Sequence, residues 1–69
     1  MTIDELRKNL TRLVDRYVDE AAERETLYAL VSREPVPVKG ILADLHKLAP
    51  AHLSVEDAHL VQDVYFHYC

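Results

Sequence analysis

Residues Tyr17–Thr26 read YVDEAAERET, a stretch that interrupts an apolar seam in a small chain with little core to spare. It follows one apolar stripe and precedes another, yet it sets Glu20 and Arg24 where the stripe would run on. In heptad spacing the positions are Ile3, Leu6, Leu10, Leu13, Tyr17, Glu20, Arg24, Leu27 and Val31, so only those two depart from the pattern. Val14, Val18, Ala21, Ala22, Tyr28 and Leu30 widen the apolar surface beyond a two-position seam, which implies contact with more than one neighbour.

Upstream, Thr2 followed three residues later by Glu5 forms a capping box, and Met1 and Leu6 stand where a hydrophobic staple closes over it. Downstream, nothing breaks the pattern before Pro35, which disfavours helical geometry at Glu34 and places the end near Ser32 or Arg33. The spacing therefore predicts one long helix over about 3–33, about 45 Å in length.

The segment REPVPVKGIL supplies the main punctuation, with Pro35, Pro37 and the sole glycine, Gly40. A second helix follows over about 38–49, on Val38, Ile41, Leu42, Leu45 and Leu48 or Ala49, until Pro50 stops it. Ser54, with Asp57 three residues on, caps a third helix over about 55–68, whose face is Ala58, Val61, Tyr65 and Tyr68 with Leu60 and Val64 beside it. The fold class is all-α: one long N-terminal helix and two shorter ones in a single small helical domain over 1–69.

A chain of 69 residues buries a modest share of its surface and usually needs disulfides, a metal or self-association for a stability margin. Its single cysteine, Cys69, is the last residue, so no internal disulfide forms. Neither short helix can line a helix of about 45 Å by itself. The expectation is a homodimer, intertwined or side by side, with Ile3, Leu6, Leu10, Leu13 and Tyr17 in its seam and a twofold axis closing it.

Twelve acidic against 8 basic side chains give a formal charge of -4, the wrong sign for steering toward phosphates. No apolar run approaches the length of a membrane span, and MTIDELRKNL lacks the order of a signal peptide. A soluble cytoplasmic protein beginning at its initiator Met is expected, with its thiol reduced. His59, Asp63 and His67 share a helical face, but a structural zinc site wants four ligands, and scattered surface histidines are the plainer reading. One thiol, three threonines, Ser32 and Ser54 are present, but Ser54 reads as a helix cap and no glycine-rich loop supplies an oxyanion hole or phosphate cradle, so no cofactor, metal or enzymatic activity is expected. The second and third helices with their APAHLS connection could be read as a helix-turn-helix, but the terminal helix carries Glu56, Asp57 and Asp63 and no Lys or Arg.

Two readings of the opening stretch stand side by side. Its charges are a solvated helix face with Glu20 and Arg24 as an i,i+4 pair. Alternatively, Asp15, Asp19, Glu20 and Glu23, with Tyr17 and Tyr28 at the ends, form an acidic patch for a basic protein surface.

With MTIDELRKNLTRLVDRYVDEAAERET, REPVPVKGILADLHKLAP and a length of 69, the whole chain resembles the small anti-quorum-sensing proteins of Pseudomonas temperate phages. The resemblance implies a dimeric helical anti-activator that binds the DNA-binding domain of a host LuxR-type regulator and keeps it from its promoter. It also implies interference with the type IV pilus assembly ATPase. No motif of that group fixes contact residues, so the patch residues rest on charge and seam alone. The alternatives are a helical adaptor, with Tyr65, Phe66 and Tyr68 as an aromatic anchor, and a small DNA-binding regulator.

Overall fold

The computed structural model describes residues 1–48 and 53–68. These residues form four helices and no strand: α1 (Ile3–Tyr17), α2 (Ala21–Val31), α3 (Val38–Leu48) and α4 (Val55–Tyr68). Ala49, Pro50, Ala51, His52 and Cys69 lie outside the described residues, and with them most of the APAHLS connection and the terminal thiol.

The long N-terminal helix expected over about 3–33 is two helices. Val18 takes an extended conformation (φ -106°, ψ 110°), as does Glu20 (φ -79°, ψ 126°), and α2 starts afresh at Ala21. The physical reason is burial. A straight helix of about 45 Å would outrun the molecule, whose longest extent is 27 Å, and would leave half its stripe in water. Breaking at residues 18–20 folds the stripe on itself, so that Leu6, Leu10, Leu13 and Val14 of α1 share one core with Leu27 and Val31 of α2. Each of these side chains gains about 1.5–3 kcal/mol from leaving water.

Two arginines hold the two helices together at their ends. Arg24 of α2 donates its Nε to the Val18 carbonyl and its Nη2 to the Asp15 carbonyl at 3.0 Å. Arg7 of α1 donates its Nε to the Val31 carbonyl at 3.2 Å and its Nη2 to the Arg33 carbonyl at 3.3 Å. Each guanidinium thus satisfies carbonyls at the C-terminal end of the other helix, where helical partners run out and the dipole favours a cation.

The capping box forms as the sequence spells it. The Glu5 amide donates to Thr2 Oγ1 at 3.2 Å and the Thr2 amide to Glu5 Oε1 at 3.3 Å. The Thr2 amide and hydroxyl hold the Glu5 carboxyl below its usual range. After α2 the Glu34–Pro35 peptide is cis. The Ile41 amide then donates to the Pro37 carbonyl at 3.0 Å as α3 begins. In α3, Val38, Ile41, Leu42 and Leu45 are buried; in α4, Val64 joins them. Helix α1 packs against each of the other three helices, and α3 also packs against α2 and α4.

The proposed dimer seam is largely occupied inside the chain. Leu6, Leu10 and Leu13 are buried within one protomer, Tyr17 is half-buried, and Ile3 is exposed at 43 %. The three leucines pack against α2, α3 and α4 of their own chain, because the break at residues 18–20 returns apolar surface to them.

Candidate functional site

The turn joining α1 to α2 gathers most of the candidate binding residues. Asp15 is exposed on the last turn of α1, Asp19 and Glu20 are exposed in the connection, and Glu23 is half-buried in the first turn of α2. Glu23 there complements the positive end of the α2 dipole. Tyr28, on α2, donates its hydroxyl to the Asp15 carboxylate, and that bond raises the Tyr28 pKa above its ordinary value. Of the nearby cations, Arg24 lays its guanidinium on the Val18 and Asp15 carbonyls of the turn itself, and Arg16, about half exposed, pairs with a carboxylate of α4. The turn thus presents the exposed Asp15, Asp19 and Glu20 carboxylates beside the Arg24 guanidinium, which bonds main-chain carbonyls and not the i,i+4 Glu20 side chain that spacing suggests.

Tyr17 does not join this group. Its hydroxyl donates to Asp57 Oδ2 at 2.5 Å and accepts from the Ser54 amide at 3.2 Å, which ties the end of α1 to the start of α4. Asp57 is 1 % exposed and is the buried charged residue of the described core. Arg16 Nη1 stands 3.1 Å from Asp57 Oδ2 and Arg12 Nη2 4.0 Å from Oδ1. The Asp57 amide donates to Ser54 Oγ at 3.1 Å, the helix cap that Ser54 signals in the sequence. Hydrogen bonding from Tyr17 holds the Asp57 carboxyl below its usual range against the opposing effect of burial, with Ser54, Arg16 and Arg12 assisting. Among the described residues no buried side-chain polar atom lacks a partner.

Sequence reasoning missed this knot, although a signal for it exists. Arg12 and Arg16 lie four apart on one face of α1 with Tyr17 next in sequence, two cations and a phenol within reach of whatever packs there. A carboxylate at the third position after a Ser cap is the matching partner on α4.

The third feature is an apolar cleft of about 390 Å³ between α1, α3 and α4. Buried Leu13, Leu42 and Leu45 form its floor, Ala58, Val61 and Tyr65 one wall, and exposed His46 and Leu53 its mouth. Its size falls in the range of about 300–1,000 Å³ of ligand pockets. Among the described residues no group of three His, Cys, Asp or Glu side chains is placed to hold a metal ion. Among the described residues no helix is long and apolar enough to cross a membrane. Comparison with protein-family models, with curated proteins and with solved structures finds no match to this chain.

Proposed function

We propose that this protein is a small helical inhibitor, an anti-activator that binds a host LuxR-type quorum-sensing regulator at its DNA-binding domain and blocks promoter binding. The observation that carries the reading is the acidic α1–α2 turn, where the Asp15, Asp19 and Glu20 side chains are exposed while Arg24 is engaged with main-chain carbonyls and Arg16 with Asp57. A DNA-binding domain presents a basic surface, and an acidic surface on a small protein occupies it by steered association. The resemblance of the whole chain to phage anti-quorum-sensing proteins supports the same target, and it alone supports the type IV pilus assembly ATPase as a second one. In this reading the protein works in the bacterial cytoplasm as a protein-binding module, without cofactor, catalysis or direct contact with nucleic acid or membrane.

A homodimer completes the proposal. Its support is the short chain together with exposed apolar side chains at the start of α1, Met1 and Ile3. With Leu6, Leu10 and Leu13 inside the protomer, Ile3 is the seam residue left at the surface to pair.

The test is calorimetric titration of the protein into the purified DNA-binding domain of a LuxR-type regulator. Reversal of Asp19 and Glu20 to lysine should weaken binding at least ~10-fold, and rising salt should weaken the wild-type complex. Glu23→Lys belongs in a second variant, because a lysine there also opposes the α2 dipole. Retained affinity in the double reversal, with an unchanged helical spectrum, would remove the acidic turn from the contact.

A further inference from the structure

We infer that the cleft and the outer face of α4 form one docking surface for a basic amphipathic helix of another protein, whose apolar side chain enters the cleft. This goes beyond the acidic-turn reading and uses other residues. Helix α4 buries Asp57 and Val64 toward the core, so the opposite side should be its charged one. Instead Phe66 is 86 % exposed and Val55 74 %. At 100° per residue, Tyr65, Ala58, Gln62, Val55 and Phe66 fall within an arc of about 100°. None carries a formal charge, and Ala58 and Tyr65 at one edge of that arc already line the cleft. Cleft and outer face are therefore a continuous uncharged surface.

Continuity selects the occupant. A small molecule filling the cleft would leave Val55 and Phe66 in water, whereas a helix laid along α4 covers both and inserts a side chain beside Tyr65. Charge then selects the kind of helix. Beyond the arc stand Glu56 and Asp63, both exposed, and α4 has no Lys or Arg; His59, His67 and the Tyr65 phenol are its remaining titratable groups on that side. Across the cleft, α3 offers His46 at the mouth and Lys47 next to it. A second copy paired antiparallel on this face would bring Glu56 and Asp63 against their own kind. A partner with Lys or Arg along the flank of its apolar stripe meets them with the opposite sign.

The experiment is fluorescence anisotropy with the full chain and two labelled, conformationally stapled peptides of about 15 residues. Both carry the same leucine stripe; one has lysine flanks and the other glutamate. The lysine peptide should bind at least ~10-fold more tightly, and Phe66→Glu should cost it at least ~10-fold. Ala58→Leu, which narrows the cleft, should weaken it as well. Circular dichroism of both variants shows whether they are folded, and Phe66 is exposed enough for its substitution to leave the core alone. Equal affinity for the two peptides, no binding of either, or full affinity in the Phe66→Glu variant would overturn the proposal. So would a wild-type dimer that Phe66→Glu converts to a monomer, since a second copy would then be the occupant. Binding of the regulator domain should be unaffected by Phe66→Glu, so failure of the acidic-turn reading and failure of this one remain distinguishable.

Discussion

Asp57 is a carboxylate taken almost wholly out of water, and Tyr17, Arg16, Arg12 and Ser54 compensate it from two helices. Its pKa is lowered in the folded chain, so the folded state binds the proton less readily than the unfolded one. The stability this brings is present above the unfolded carboxyl pKa of about 3.9 and is lost as pH falls through the lower, folded value. Asp57→Asn should therefore flatten part of the acid limb below about pH 4 in a plot of urea midpoint against pH. Asp57→Ala should cost about 2 kcal/mol at neutral pH, because it strips a partner from a half-buried phenol and from Arg16. A variant as stable as wild type at pH 7, with the same acid limb, would show that the knot contributes nothing. The sequence makes the Ser54 cap readable, since caps are local. It leaves the burial of Asp57 hidden, since that depends on which face of α1 meets α4.

At the scale of elements, the break between α1 and α2 is the feature that local rules misplace. Tyr17 to Thr26 has neither Pro nor Gly, and Ala21, Ala22, Glu23, Arg24 and Glu25 are good or acceptable helix residues. Helix 3–33 is thus a fair local reading, and it fails because tertiary burial overrides propensity by more than a break costs. Glu20 and Arg24 are the legible trace of that outcome. A seam does not tolerate them, and a helix end uses an arginine well. Replacing Arg24 by alanine should cost about 1 kcal/mol, and Arg7→Ala a similar amount, since each removes hydrogen bonds to C-terminal carbonyls. Arg24→Lys should recover only part, for an ammonium cannot reach Asp15 and Val18 with a planar fork. Urea midpoints for the three variants check this, with amide exchange at the end of α1 as the local readout. The helices over about 38–49 and 55–68 have their counterparts in α3 and α4, because prolines and a Ser cap mark their ends in the sequence.

For the whole molecule, the reversal at residues 18–20 changes what association has to supply. A dimer expected to complete the core has little left to complete: the radius of gyration is 10.9 Å, close to the value of about 11 Å for a compact chain of this length. Core and assembly then separate, and two substitutions on the same stripe should report them independently. Leu10 is fully buried among α1, α2 and their neighbours. Leu10→Ala should cost about 3 kcal/mol, a large part of the roughly 3–10 kcal/mol available to a domain of this size. The thermal midpoint should fall steeply at every protein concentration. Ile3 is on the same stripe but at the surface, so Ile3→Glu should halve the mass seen by light scattering while the helical spectrum stays. Its midpoint should become independent of concentration, and that of the wild type should climb with it, as linkage to a dimer requires. If Ile3→Glu instead unfolds the chain, then α1 needs its partner to stay folded, and the closed single-chain core is the wrong account of its stability. If it changes neither mass nor midpoint, the start of α1 is not the pairing surface.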